Sequence, residues 1–363
     1  MLKTYKITFK PAEPYFFGNE KNFIFPGQTH GGAYASSYFI KSEKTPSQST
    51  ILGALRYMFL VHKKSDFRYS PEERSDNEKA VGKESFNSEL DNAQDFGVIK
   101  KVSPVFIVRK TEDGENETLI PTPMNHRIFV ADENGKKKKT TCYTPFSDYI
   151  TAETSDGEKL YADDFDVKDG LAHNYCAVEN GKIYESDEIF STDLRIGINR
   201  NTKRDGFFKK EYCMLKNKYA FAVYAQLDVD ESAVSSVQHV FLGQGKSAFA
   251  VTFTEEENNL VKTVEDFISG NNKDYQCIYC LGDSFIADFD DSNVLFCAID
   301  TKDYRSFMTK EHGRVEKDGN LYRLLKAGSI LYVKNAEQWI SKNKKENAEN
   351  IGFNNFVTTG GNK

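Results

Sequence analysis

The alternation of apolar and polar residues at the start of the chain predicts a β-strand. Between residues 3 and 10, Ile7 and Phe9 alternate with lysines and threonines, and Pro11 follows directly. A period of two places apolar side chains on one face of a half-buried strand. Residues 14–32 are rich in glycine, proline and aromatic residues. We expect this segment to form an ordered loop with contacts of its own.

A helix is predicted to begin near Pro46. Pro46 and Ser47 suit a first helical turn, and apolar residues then recur at helical spacing, at positions 51, 52, 55, 58 and 59. Gly53 lies within this helix, where glycine costs about 1 kcal/mol relative to alanine. Either a closely packed backbone or a bound ligand would compensate for that cost, and we favour packing.

Residues 63–95 form a polar stretch without apolar periodicity. Six basic and nine acidic residues fall within it. This composition is typical of a solvated insertion loop, and a binding element is the less favoured alternative. A run of four lysines at 136–139 is interpreted in the same way, as a solvated loop tip rather than a contact for RNA or a partner.

Two strand–helix–strand patterns determine the predicted fold. A buried strand at Tyr219–Asp228 is followed by a helix over about 230–241, a glycine turn and a strand at Ser247–Phe253. Residues 3–109 fit the same order once the polar insertion is removed. This duplication predicts an α+β protein of two packed ferredoxin-like (RRM-like) modules. We expect one module at 1–150, with the insertion at about 63–95, and the other at 151–363, with a basic β-hairpin at about 195–215.

The composition indicates a folded protein of the reducing cytoplasm. Of the 363 residues, 39% are hydrophobic and 28% are charged. The longest apolar run, Ile51–Val61, is too short to span a membrane and contains Arg56. Six cysteines in a chain of this length form no disulfide framework. Cys277 and Cys280 lack further zinc ligands nearby, so we expect them to be buried structural cysteines.

Positive charge is concentrated around a predicted hairpin, although the chain as a whole has a formal charge of −6. An acidic chain is a poor non-specific nucleic-acid binder, yet a local basic groove remains compatible with it. Between residues 195 and 218 there are eight basic residues and two acidic ones, with Phe207, Phe208 and Tyr212 among them. Such a hairpin suits an RNA backbone and its unstacked bases, and a plain solvated hairpin is the alternative. The turn Gly243–Lys246 adds a candidate phosphate contact, because bare N–H groups beside a lysine attract anions.

Catalytic and metal-binding motifs are absent from the sequence. The six histidines are scattered, and no hydrolase, nucleotide-binding or metal-ligand spacing occurs. A metal-independent ribonuclease needs no such motif, since one histidine can serve as general base. His30, beside two glycines, is the best candidate for that role, with a structural or RNA-contacting histidine as the favoured interpretation.

Six segments, in order along the chain, carry a resemblance to a known family. They are the aromatic–glycine segment 13–18, the PSTxxGALR-like helix 46–56, the P-x-P strand end 120–123, the R-x-G-I-x-x-R-like strand 195–200, the glycine turn 242–246 and the AGS strand 326–332. Together they resemble the CRISPR-associated RAMP superfamily, and in particular the third Cmr subunit of type III-B effectors.

The resemblance implies a non-catalytic, RNA-binding subunit without metal or cofactor. Such a subunit caps the crRNA, holds its repeat-derived five-prime tag, and docks on the large polymerase-like subunit and on the first backbone subunit. The candidate RNA contacts are Ser47, Gln48, Ser49, Thr50, Gly53, Arg56, Arg195, Asn199, Arg200, Lys203, Arg204, Gly243, Gln244, Gly245 and Lys246. Two alternatives stay open. Arg56 instead extends from a core helix as a structural residue, or the chain is a metal-independent crRNA-processing endoribonuclease, as some related RAMP proteins are.

Overall fold

The structure, a computed structural model, describes residues 2–18, 38–64, 71–124, 130–131, 137–138, 150–153, 159–161, 173–199, 206–235, 239–268, 275–290, 292–309, 315–317 and 320–360. Within these residues the helices are α1 (Gln48–His62), α2 (Pro71–Val81), α3 (Ser186–Ile189), α4 (Glu231–Ser235), α5 (Leu260–Ile268), α6 (Ala336–Lys342) and α7 (Glu346–Glu349). None of these helices is both long enough and apolar enough to cross a membrane.

The strands of the described residues, in chain order, are β1 (Leu2–Pro11), β2 (Tyr38–Lys41), β3 (Ile99–Val102), β4 (Phe106–Lys110), β5 (Asn116–Pro121), β6 (Val130–Ala131), β7 (Lys137–Lys138), β8 (Ile150–Glu153), β9 (Lys159–Tyr161), β10 (Tyr175–Ala177), β11 (Ile183–Tyr184), β12 (Phe190–Asn199), β13 (Gly206–Leu215), β14 (Tyr219–Asp228), β15 (His239–Leu242), β16 (Ser247–Glu255), β17 (Gln276–Cys280), β18 (Val294–Ala298), β19 (Thr301–Tyr304), β20 (Phe307–Thr309), β21 (Val315–Lys317), β22 (Tyr322–Leu325), β23 (Ile330–Val333) and β24 (Phe356–Gly360). The protein is thus a mixed α+β protein, with mostly antiparallel sheets and few helices.

The largest sheet joins strands from distant parts of the chain. Its order is β11-β10-β5-β4-β14-β1-β16-β15, and β3 also pairs with β14. β1, β4 and β5 come from before residue 150, whereas β14 and β16 come from after it. The predicted domain boundary at 150 therefore does not follow the sheet topology, because it would divide this one sheet. The two predicted strand–helix–strand patterns combine in a single sheet instead of forming one sheet each.

Helix α1 packs on one face of the large sheet, as its apolar periodicity predicts. Leu52 and Leu55 share a buried core with Ile7, Phe9 and Phe221 of the central strands. Ser47 caps the helix, and its hydroxyl accepts from the Thr50 N–H at 3.3 Å. The prediction of a helix that begins near Pro46 is confirmed.

The second predicted helix is shorter than its apolar pattern indicated. α4 ends at Ser235, and Val240 and Phe241 lie in strand β15. In that strand Val240 and Leu242 are buried while His239 and Phe241 are exposed, which is a period of two. Pairing with β16 along the edge of the large sheet therefore outweighs the helical spacing of the valines.

The polar stretch at 63–95 is not a simple solvated loop. Its middle forms α2, and residues beyond it pack against the carboxyl-terminal part of the chain. The Phe86 ring is 3% exposed, with its centre 5.6 Å from that of Phe353. The Gln94 N–H donates to Oδ1 of Asn347 at 3.0 Å. A few buried contacts order this segment despite its overall polarity, which periodicity alone cannot detect.

A second antiparallel sheet contains residues beyond 275, with the order β18-β23-β17-β24. α6 covers it, and the Trp339 indole is fully buried and donates to the Phe289 carbonyl at 2.9 Å. Cys277 and Cys280 lie buried in β17, and neither forms a disulfide. Burial raises the pKa of the Cys280 thiol to about 12. The prediction of buried structural cysteines is confirmed.

Candidate nucleic-acid interface

The start of helix α1 holds three half-buried hydroxyl side chains close together. The Ser47 hydroxyl lies 3.1 Å from that of Ser49 and 2.9 Å from that of Thr50. No acidic residue occurs in the first turn, so the partial positive charge of the helix N-terminus is not neutralised there. This end of α1 is therefore electrostatically compatible with a phosphate group.

Gln48 and Arg56 on the same helix point into the protein. The Gln48 side chain is buried, and its Nε2 donates to the Ser103 carbonyl at 3.0 Å. The Arg56 guanidinium donates to the Gly82 carbonyl at 2.9 Å and lies 6.0 Å from the ring centre of Phe96. Burial lowers the pKa of Arg56. These contacts support the structural alternative for Arg56, and RNA contact by either side chain stays a prediction.

Gly53 lies on the exposed side of α1. Apart from its chain neighbours and the backbone of α1 itself, no heavy atom of the described residues comes within 4 Å of the position that a Cβ would take there. The expectation that another backbone packs closely against Gly53 is therefore wrong for the described part of the chain. What remains is an open helix surface that a ligand can approach closely.

The basic segment forms the predicted hairpin. β12 and β13 pair over ten residues, from Phe190–Leu215 to Asn199–Gly206, and β2 joins β13 in parallel. The predicted contacts Arg200, Lys203 and Arg204 lie outside the described residues, and only the backbone of Asn199 lies within them. The hairpin itself is confirmed, whereas the contacts predicted at its tip stay predictions.

One face of the hairpin carries stacked cations and aromatic rings. The Arg195 guanidinium lies 4.5 Å from the ring centre of Tyr212 and donates to the Asp193 carboxylate at 2.8 Å. Lys210, directly opposite Arg195 in the register, places its Nζ 4.9 Å from the same Tyr212 ring. The Arg195 side chain remains 51% exposed. Since a guanidinium has five N–H donors, it retains donors for a phosphate or a base.

Lys210 connects the hairpin to the glycine turn. Its Nζ lies 4.0 Å from the ring centre of Phe16 and donates to Oε1 of Gln244 at 3.2 Å, with only 8% of the residue exposed. The Gln244 N–H donates to the Phe16 carbonyl at 2.9 Å. Gly243 has φ +73°, and a Cβ there would lie 2.4 Å from that same carbonyl oxygen. We name the set Phe16, Arg195, Lys210, Tyr212 and Gln244 the hairpin-base cluster.

The remainder of the turn is open. Gly245 has φ +100° and no heavy atom of the described residues within 4 Å of a Cβ position, and Lys246 beside it is exposed. Helix α1 packs against β15, the strand that leads into this turn. The fold thus brings Arg195 and the turn Gly243–Lys246 to one surface, and it places α1 against the strand next to that surface.

A family model identifies the protein family of this chain. The model described as "CRISPR-associated protein (Cas_Cmr3)" matches residues 7–360. The chain belongs to the Cas_Cmr3 family.

Solved structures provide further likenesses to this Cas_Cmr3 chain. A chain of the "Type III-B Cmr-beta bound to cognate target RNA" is 15% identical, with TM-score 0.44, and the match covers 96% of this chain and 95% of that one. A chain of the "Csm3-Csm4 subcomplex in the type III-A CRISPR-Cas interference complex" is 11% identical, with TM-score 0.38 and coverages of 91% and 94%. A chain of the "Csm1-Csm4 cassette in complex with AMPPNP" is 12% identical, with TM-score 0.32 and coverages of 92% and 88%. No curated protein matches the chain.

Sequence reasoning placed Lys210 and Tyr212 of this Cas_Cmr3 chain in the basic, aromatic hairpin but did not predict that they meet Phe16. The register that turns them towards Arg195 and the glycine turn is tertiary information. Phe16 was part of the aromatic–glycine segment at 13–18. Within the described part of the chain, no three His, Cys, Asp or Glu residues are grouped to hold a metal ion.

Elsewhere in this Cas_Cmr3 chain, His173 lies in a separate charged cluster. Its Nε2 is 3.7 Å from the Asp300 carboxylate, which also accepts from Lys326 Nζ at 2.6 Å. Burial lowers the pKa of His173, and the nearby Lys326 lowers it further, while Asp300 opposes them. The lowered pKa favours the neutral imidazole, which is the form that can accept a proton. His30, the best candidate for a general base in the sequence, lies outside the described residues.

Proposed function

We propose that this chain is a non-catalytic RNA-binding subunit of a type III-B CRISPR effector, acting in the cytoplasm. In this role it holds the five-prime tag of the crRNA and bridges the large polymerase-like subunit to the first backbone subunit. Membership in the Cas_Cmr3 family supports the assignment to a CRISPR system. The positive charge concentrated on the basic hairpin makes RNA a reasonable ligand to test first.

The observation that carries the RNA-binding role is the contact of Lys210 with Gln244. This contact joins two elements that the sequence predicts independently to bind RNA, the basic hairpin and the glycine turn. Arg195 and Lys210 lie over aromatic rings, and the Arg195 side chain is half exposed. Cations bind phosphates and aromatic rings stack on unstacked bases, so this combination suits RNA. The acidic remainder of the chain leaves this surface as a local binding region rather than part of a uniformly basic one.

We also propose that the chain contains two ferredoxin-like modules, with a different division from the one at residue 150. The strand order β16-β1-β14-β4, with α1 following β1 and α4 following β14, supports the first module within residues 2–255. The order β24-β17-β23-β18, with α6 following β23, supports the second within 276–360. Both orders are 4-1-3-2 when the strands of each module are counted along the chain. Limited proteolysis between 256 and 275 would test this division.

Co-expression with the genomic neighbours tests the proposed function. The chain is tagged and purified, and the ends of any bound RNA are sequenced. We expect a multi-subunit particle whose RNAs share a repeat-derived five-prime end. Arg195→Ala and Arg200→Ala should lower the RNA recovered per particle, whereas the matched control Lys218→Ala should not, because Lys218 is paired with Glu112 at the far end of the basic segment. A folded chain that carries no RNA, alone or in a particle, would contradict the proposal.

The charged cluster at His173 favours one competing function, metal-independent RNA cleavage. A neutral imidazole can act as general base, and Lys326 can neutralise a developing negative charge. The purified chain is incubated with repeat RNA in EDTA, and its products are examined for cyclic phosphate ends. Cleavage that His173→Ala abolishes would establish the nuclease and refute the non-catalytic role. Intact RNA under these conditions is the result that we expect.

A further inference from the structure

Within the described residues, strand β15 forms an unpaired edge of the large sheet. The directions of its main-chain groups follow from its pairing with β16. The Ala248 N–H donates to Oε1 of Glu13 at 2.9 Å, and the Ala248 carbonyl accepts from the Ala12 N–H at 2.9 Å. Both main-chain groups of Ala248 therefore point away from β15. In an antiparallel pair, residues alternate between bonded and non-bonded pairs, so Ser247 and Phe249 are the ones that bond to β15.

The register between β15 and β16 gives the directions of the main-chain groups of β15. Ser247 pairs with Leu242 and Phe249 with Val240, whereas Phe241 and His239 lie opposite Ala248 and Ala250. The N–H and C=O groups of Phe241 and His239 therefore point outwards from the sheet. No other strand of the described residues pairs with β15. Such an edge is a template for another strand.

The side chains on this edge do not protect it. Natural edge strands are commonly blocked by lysine, proline or a bulge, yet the outward positions here are His239 and Phe241. Phe241 is 61% exposed. It lies on the sheet face opposite α1, and its register partner on β16 is the small residue Ala248. The outward main-chain groups of His239 and Phe241, with the exposed Phe241 side chain beside them, form a surface that an added strand can cover.

Charge near the edge indicates the chemistry of its occupant. Lys10, Ala250 and His239 lie side by side across β1, β16 and β15 on the face of Phe241, and Lys10 is exposed. Glu13 accepts from the Ala248 N–H. The exposed Lys10 ammonium on the face of Phe241 complements an acidic residue of a partner.

We propose that an extended segment of another protein subunit adds to the large sheet alongside β15, with an apolar side chain against Phe241 and a carboxylate near Lys10. This pairing rests on the proposed function, since it takes the partner from the same effector. A peptide backbone satisfies both the outward N–H and the outward C=O groups. RNA is a poorer occupant, because its phosphates only accept hydrogen bonds and its donors, the 2′-hydroxyls and base amino groups, do not repeat at the spacing of a β-strand.

Hydrogen–deuterium exchange of the isolated chain and of the purified particle tests the pairing. We expect residues 239–242 to exchange at least about tenfold more slowly in the particle, since two amides gain partners. Phe241→Pro removes the outward N–H together with the aromatic ring, so it should weaken retention of one protein subunit by more than the about fivefold that one hydrogen bond accounts for. Phe241→Glu keeps the N–H but places a charge against the partner's apolar side chain, so it should weaken retention too. The matched control Leu321→Glu changes a side chain of similar exposure, 52%, and should have no effect.

Several results would overturn the pairing. Unchanged exchange in an RNA-bearing particle would refute it while the proposed function stands. Protection that ribonuclease removes would identify RNA as the occupant, and protection of the isolated chain that rises with concentration would identify a second copy. If no particle forms with the genomic neighbours, the proposed function and this pairing fail together. Circular dichroism of Phe241→Pro checks its fold, and the exchange experiment and Phe241→Glu decide the question if that variant unfolds.

Discussion

Replacement of Lys210 by methionine should loosen the base of the hairpin. Methionine keeps a flexible side chain of similar length but removes the charge that lies over the Phe16 and Tyr212 rings and donates to Gln244. A partly desolvated cation–π contact contributes about 1–2 kcal/mol, and the net contribution of a hydrogen bond is about 1 kcal/mol. Because Lys210 is only 8% exposed, solvent screens these contacts little. We therefore expect a loss of about 2–3 kcal/mol.

Urea unfolding followed by tryptophan fluorescence and circular dichroism measures this loss, and hydrogen exchange of residues 206–215 locates it. Lys209→Met is the matched control, since Lys209 is the exposed neighbour on the opposite face of the same strand. Lys209→Met should leave the free energy of unfolding within about 0.5 kcal/mol of the wild-type value, as surface substitutions usually do. An unchanged unfolding midpoint together with unchanged exchange for Lys210→Met would refute the argument that this buried lysine connects the hairpin to the glycine turn.

Three further predictions concern the same elements and their supports. Gly243→Ala should destabilise the chain by more than about 2 kcal/mol in thermal unfolding, because a positive φ and the close Phe16 carbonyl both exclude a Cβ. Gly245→Ala should destabilise it less, because Gly245 also has a positive φ but has no close atom at its Cβ position. Arg56→Met should lower the melting temperature through loss of its bond to the Gly82 carbonyl, with RNA affinity per folded molecule unchanged; a selective loss of RNA affinity would refute the structural role. Burial raises the pKa of Glu117, but hydrogen bonds from Tyr184, Arg109 and Asn180 outweigh it and lower the pKa overall. The stability that this carboxylate provides is thus present above its unfolded pKa and is lost as pH falls through the folded value. Glu117→Gln should reduce the loss of stability in acid, measured by urea unfolding across pH 3–6.

The sequence predicted correctly those elements that depend on interactions between residues close together along the chain. The apolar spacing after Pro46 identifies α1 because one helical face must be buried, and Ser47 caps it as expected. The basic segment after Arg195 forms the predicted hairpin, since alternating residues and a polar turn favour antiparallel pairing. In both cases the deciding interactions lie within about 20 residues of the chain.

Other outcomes depended on partners far along the chain. The valines after Ser235 have helical spacing, yet Val240 lies in a strand because β16 offers an edge for pairing. The polar insertion is ordered through Phe86, whose partners Phe285 and Phe353 are contributed by the carboxyl-terminal part. Periodicity within one window contains no information about such contacts.

At the candidate site, too, some features follow from the sequence and others follow only from the tertiary structure. The sequence by itself determined which segments carry positive charge, which turn lacks side chains, and that α1 begins with a cluster of hydroxyls. Only the tertiary structure decided that Lys210 faces Gln244, that Gln48 and Arg56 point inwards, and that the two strand–helix–strand patterns share one sheet. The physical reason is that charge and propensity are properties of single residues, whereas the direction of a side chain depends on strand register and on which distant surface buries its neighbours.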